Sequence, residues 1–198
     1  MTTGMSRLGK GSLLREAMAV LARAPQASMA DVAASVGVGR TTLYRHFGDR
    51  ETMVAEVARQ GARMFIFAFA SARPESGLGL DAIERICMQL FTVPDVLSLM
   101  FADHPIITDE IFAEVEGESP APRPDTGQDP LEPIITRGQS DGSITGDVPA
   151  AWAAAFIFFT IGSGHLYRLT DDGRADPDRS PEALELTIRA VRRTLSAD

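Results

Sequence analysis

Apolar residues recur with helical spacing along most of the chain. Leu13, Ala17, Val20 and Leu21 lie four, three and one residues apart, which predicts an amphipathic helix over about 12–24 that ends near Pro25. Ser28 then reads as an N-cap, with Asp31 three residues later at the positive end of a short helix. That helix turns Met29, Val32, Ala33 and Val36 inward. Ala33 stands four residues before Gly37, and Leu43 and Phe47 follow on one face of a further helix. A small residue at a close helix crossing, a glycine where the turn needs positive φ, and apolar anchors beyond it make a helix-turn-helix pattern. A longer helix is predicted from Asp49 to about Ala70, physically joining this head to the rest of the chain.

The remainder, the body, also reads as helical, with segments at about 80–92, 95–102 and 108–116. Residues 116–130, EGESPAPRPDTGQDP, hold four prolines and two glycines and cannot form one helix; they read as an exposed loop, with helix resuming near Leu131. From Val148 to Tyr167 no residue is charged, long enough for a membrane span. Pro149, Thr160, Gly162, Ser163, Gly164 and His165 interrupt the run, and no cluster of basic residues flanks it. It is read as a buried interface helix, with no membrane partner. Leu184, Ile188, Val191 and Leu195 form another unbroken stripe. Together with Phe158 and Ile161 they predict a four-helix dimer interface across a two-fold axis, unless both helices simply pack on their own body.

Charge divides the chain. The formal net charge is -8, yet residues 1–50 carry seven lysines and arginines against three acids, leaving -12 for the rest. A basic head on an acidic body suggests a polyanion partner for the head alone. In RTTLYRHFGDRE, Leu43 and Phe47 face inward and Arg40, Thr41, Thr42, Tyr44, Arg45 and His46 lie outward or at the edge. Arginine can bond guanine bidentately and threonine offers a hydroxyl and a methyl, so these are donors suited to double-stranded DNA. The helix start after Gly48, with Arg50, is expected to clamp one backbone phosphate.

Other chemistry finds little support. The sequence has no G-x-S-x-G, P-loop or dinucleotide fingerprint, and GLGLD at 77–81 follows no strand, so no enzyme and no cofactor are expected. The single cysteine, Cys87, excludes an intrachain disulfide and fits a reducing cytoplasm. A metal site from Asp103, His104, Asp109 and His165 lacks the short ligand spacing such sites use. An apolar effector cavity can be lined by Met88, Phe91, Leu97, Met100, Phe101, Phe112, Trp152, Phe156 and Phe159, with His104 and His165 to orient a ligand, although any helical core uses the same residue types.

MADVAASVGVGRTTLYRHFGDRETMVAEV, within about 13–57, resembles the DNA-binding domain of TetR/AcrR-family transcriptional regulators, above all in TLYRHF and the charged helix start after it. The resemblance covers roughly the first quarter to third of the chain. It implies an all-α homodimer: a three-helix helix-turn-helix DNA-binding domain (1–50), then a helical effector-binding and dimerisation domain (51–198). By position it carries DNA contacts onto Ser28, Arg40, Thr41, Thr42, Tyr44, Arg45, His46 and Arg50; Arg50 stands where such proteins often have lysine. The function implied is a repressor that binds a palindromic operator and is released by an unidentified small molecule. The alternatives are a small-molecule-binding protein or enzyme with a vestigial head, and a membrane-associated regulator.

Overall fold

A computed structural model describes residues 9–118, 129–170 and 176–197. They form ten α-helices: α1 (Lys10–Arg23), α2 (Met29–Val36), α3 (Arg40–Phe47), α4 (Arg50–Ser71), α5 (Gly79–Leu90), α6 (Pro94–Met100), α7 (Asp109–Gly117), α8 (Glu132–Asp141), α9 (Ala150–Tyr167) and α10 (Ser180–Leu195). Among the described residues the extended pairing is limited to one isolated bridge, Ile144 to Ser196, which ties the C-terminus to the end of α8. Every helix expected from the apolar spacing is present, with ends shifted by a residue or two. Most of the proline-rich loop, 119–128, lies outside the described residues.

Local chemistry sets the head. Ser28 and Asp31 form a reciprocal capping box on α2: the Asp31 N–H donates to Ser28 Oγ at 3.2 Å, and the Ser28 N–H donates to Asp31 Oδ2 at 2.9 Å. The Ser28 hydroxyl and then its N–H hold the Asp31 carboxyl below its usual range. Gly37 ends α2 at φ 74°, a left-handed conformation that costs a side-chain-bearing residue about 1–2 kcal/mol. α3 then rests on Leu43 and Phe47, 0% and 3% exposed.

The head does not stop at residue 50. Its buried cluster runs from Leu13, Ala17, Val32 and Ala33 through Leu43 and Phe47 into Met53, Val57, Ala58 and Ala62 of α4. The same cluster takes in Val96 and Leu99 of α6, Ile107 and Val115. Gly61 marks the tightest point: a Cβ there would sit 2.4 Å from Ile107 Cδ1 and 3.7 Å from the Met18 methyl. α4 is thus one continuous rod of 22 residues, about 33 Å long, buried at one end in the head and at the other, through Ala68 and Phe69, in the body.

The body packs α5, α8, α9 and α10 around Ile83, Ile86, Ile135, Ile144, Ile157 and Val191. α9 has the length and apolar composition of a membrane-crossing helix, but it buries Ala153, Ala154, Ile157, Ile161, Gly162 and His165 against α6, α8 and α10. The C-terminal stripe also faces this core. Val191 and Leu195 are fully buried and Ile161 is 4% exposed, while Leu184 and Ile188 pack partly buried against the same cluster. The expected dimer contacts through Ile161, Val191 and Leu195 are therefore corrected: periodicity reported an apolar face, and that face belongs to the subunit's own interior. Cys87 is buried too, and burial, then the charge of Glu84, pushes its thiol up to about 12, so it is unreactive.

Candidate nucleic-acid interface and ligand cavity

α3 presents a polar outer face over its two buried anchors. Arg40, Thr41, Tyr44 and Arg45 are exposed, with Tyr44 at 49%, and Thr42 and His46 are half-buried at its edges. Arg40 and Arg45 form no ion pair among the described residues. Lys10, by contrast, pairs with Glu56 at 2.7 Å and lies 5.7 Å over the Phe47 ring. Unpaired positive charge is thus present on the outer face of α3, at the dimensions of a helix that enters a major groove. Ser28, exposed beside it, has its side chain occupied by the α2 cap.

Arg50 sits differently from the phosphate clamp expected of it. Its Nε donates to the Ala27 carbonyl at 2.9 Å and its Nη2 to the Pro25 carbonyl at 2.6 Å. The start of α4 already holds an anion of its own, since Asp49 Oδ1 accepts the Thr52 N–H at 2.7 Å. Arg50 fastens the α1–α2 loop to α4. Lysine cannot serve two carbonyls with a planar fork. Arg50→Lys is expected to lower unfolding stability by about 1.5–3 kcal/mol while leaving the salt dependence of DNA binding unchanged. Denaturant titration and binding over a salt series check this; a salt slope reduced by about one at unchanged stability would return Arg50 to the phosphate.

Between α4, α5, α6, α7 and α9 lies a cavity of about 750 Å³, the size of a drug-like ligand site. Phe65, Ile66 and Phe69 of α4, Ile86 and Leu90 of α5, Met100 of α6, Phe112 of α7 and Phe158 and Ile161 of α9 supply its apolar wall. Phe65 and Phe112 meet edge to face at 5.3 Å. Asp109, Glu110, Glu116 and Asp129 are its charged lining residues, and Ile107 and Leu131 are among the others. α7 is held onto α4 by two ion pairs one turn apart, Arg59–Glu114 at 3.2 Å and Arg63–Glu118 at 2.7 Å.

Of the residues expected to line a pocket, Met100 and Phe112 do so. Met88 and Trp152 are at the surface, 42% and 49% exposed, and Phe156 is half-buried in a parallel stack on Trp152 at 5.5 Å. Leu97 is fully buried, and Phe101 packs against the bare Cα of Gly162. Phe91 is buried under the guanidinium of Arg168, 4.6 Å from its ring. His104 is exposed at the head–body joint, beside Arg50. His165 is fully buried and does not reach His104, Asp103 or Asp109; among the described residues no three metal-ligating side chains converge. The lining residues missed, Phe65, Phe69 and Ile107 above all, sit on stretches read simply as helix or connector.

His165 belongs to a buried polar relay. Arg168 Nε and Nη2 lie 3.3 and 3.1 Å from His165 Nδ1, Arg168 Nη1 donates to the Phe91 carbonyl at 3.0 Å, and Ser98 Oγ is 3.1 Å from His165 Nε2. Arginine can only donate, so Nδ1 accepts and the ring proton resides on Nε2, directed at Ser98 of α6. Burial, then the Arg168 charge, lowers the His165 pKa from 6.5 to about 4. Asp95, also on α6, is raised by burial against the pull of Arg23 in α1 and Arg168. The relay thus joins α9 to the helix that packs on the head.

The outer face of α9 is apolar and open. Trp152, Ala155, Phe159, Ser163 and Leu166 form one exposed stripe, with Phe159 at 67% and Leu166 at 55%. Phe158, a predicted dimer residue at 37% exposure, flanks it, as does Leu186 of α10 at 41%.

Comparison with known proteins agrees with this geometry. Residues 13–57 match the model of bacterial regulatory proteins of the tetR family, a span that crosses residue 50 into α4 as the head core does. The chain is 24% identical over 171 residues to the HTH-type transcriptional repressor LfrR of Mycolicibacterium smegmatis, covering 86% of this chain and 84% of that one. Its fold is similar to the crystal structure of the TetR-like regulator LfrR from Mycobacterium smegmatis in complex with proflavine (TM-score 0.61, 23% identity, 88% and 91% covered). It is also similar to KstR2, a ketosteroid transcriptional regulator of Mycobacterium tuberculosis (TM-score 0.69, 16% identity, all of both chains). Head motif, repressor relative and shared all-α fold coincide: residues 13–57 match the DNA-binding domain of bacterial regulatory proteins of the tetR family, and the rest of the chain shares the all-α fold of such regulators.

Proposed function

We propose that this regulator is a homodimeric repressor that binds a palindromic operator through α2 and α3 and releases it when a small molecule fills the cavity beside α4. The observation that carries the reading is the outward face of α3: unpaired Arg40 and Arg45 with Thr41 and Tyr44, held by Leu43 and Phe47. The exposed Trp152, Phe159 and Leu166 stripe supports pairing with a second copy, because aromatic patches of this kind are what interfaces bury. Two heads so joined would address half-sites about 34 Å apart. Phe65 and Ile66 of α4 line the cavity while Met53 and Val57 hold the head, so a ligand acts on the rod both parts share. The match to bacterial DNA-binding regulators supports work in the cytoplasm.

Selection of bound sites from random DNA tests the reading directly. A palindrome is the expected result; enrichment of no sequence by the purified dimer rejects it. On the selected site, Thr42→Ala is expected to cost about 1–3 kcal/mol and relax the preference at one base pair. An equal loss on all sequences would make Thr42 a backbone contact instead.

A further inference from the structure

We propose that the cavity is built for a lipophilic organic cation, an aromatic or otherwise apolar body carrying positive charge. This rests on the reading of the cavity as the effector site and names the chemistry that fits it. On α7 the residues that line the cavity are Asp109, Glu110, Phe112, Ala113 and Glu116, with acids at both ends and a phenyl ring between. Glu114 and Glu118 on the same helix are neutralised by Arg59 and Arg63. Among the described residues Asp109 and Glu116 form no ion pair and no side-chain hydrogen bond, and Glu110 and Asp129 are bonded only to Thr108 and to the Leu131 N–H, so the acids that face α4 are neutralised while those lining the cavity are left without a cationic partner.

Among the described residues no lysine, arginine or histidine lines the space. Four carboxylates around an apolar chamber repel an anion, and covering them with a neutral body costs their hydration without compensation. A cation recovers that cost, and the faces of Phe65 and Phe112 offer it the negative side of a ring quadrupole.

Two dyes on one three-ring scaffold separate the alternatives: cationic tetramethylrhodamine methyl ester and anionic fluorescein, each titrated by fluorescence anisotropy against the full-length protein. The expected result is binding of the cation at least about tenfold tighter than of fluorescein, weakening as salt is raised. The isosteric pair Asp109→Asn with Glu116→Gln should weaken the cation about tenfold and leave operator binding intact, which also shows that the variant is folded. Glu116→Lys should shift the preference towards fluorescein. Equal affinity for the two dyes, no binding of the cation, or undiminished cation binding by the neutralised pair overturns the proposal. Operator release is followed in the same samples: a cation that binds through Asp109 and Glu116 without releasing DNA upholds the site and refutes release through the cavity. Release by both dyes alike does the reverse.

Discussion

Phe159→Arg is expected to leave a folded subunit that sediments as a monomer and binds the selected operator about two to four orders of magnitude more weakly. Phe159 is 67% exposed and lies outside both buried clusters, so the substitution removes no core packing. In the proposed dimer, what it places in the apolar stripe between Trp152 and Leu166 is a charge that would meet its own copy across the two-fold axis, unpaired and stripped of water. The loss in DNA affinity follows from tethering. A dimer presents its second head at an effective concentration near millimolar, and separating the heads forfeits about 10²–10⁴ in avidity without touching a DNA contact. Sedimentation velocity and operator binding, measured on one preparation, check both halves. A variant that stays dimeric would move the interface away from α9, and a monomer with undiminished operator affinity would end the two-headed account.

Arg168→Met is expected to cost about 3–5 kcal/mol of stability, lowering the melting temperature by roughly 10 °C. The guanidinium is 2% exposed and serves the Phe91 carbonyl, the Phe91 ring and His165 Nδ1 together. Methionine fills the volume but leaves the carbonyl and the ring nitrogen as buried acceptors without donors. The same relay predicts how wild-type stability varies with pH. His165 titrates near 4 when folded and near 6.5 when unfolded, so between those values the unfolded chain binds a proton that the folded chain refuses. Its contribution is complete above pH 6.5 and is lost as pH falls towards 4. Thermal unfolding followed across that window in wild type and His165→Gln isolates the effect: the variant should show the shallower decline. Matching declines would mean His165 does not govern that window, and an unchanged melting temperature for Arg168→Met would make the relay ornamental.

The head was legible because its signals are local. A cap at Ser28, a left-handed glycine at 37 and anchors four residues apart at Leu43 and Phe47 each act within one or two turns, so short sequence spacing carries them. The helices of the body were legible for the same reason. Their partners were not. The stripe ending in Val191 and Leu195 has the same period whether it meets a second subunit or its own core, and spacing cannot say which. The cavity was less visible still, since Phe65, Ile86, Met100, Phe112 and Ile161 converge from five helices. An aromatic residue beside a void looks, in sequence, like one inside a core. Arg50 misled for a different reason: its place after Asp49 suggested an anion, while its donors are taken by carbonyls of a loop more than twenty residues earlier.

Gly61 has a consequence for regulation by mutation. Ile107 lines the cavity and presses against the bare Cα of Gly61, where Met18 of α1 also arrives. One added methyl at 61 would therefore act as a built-in wedge, driving Ile107 into the ligand's space and straining the seat of α1 in a single stroke. Genetic screens for permanently switched forms of this protein should find position 61 among the smallest changes that act as the proposed ligand does.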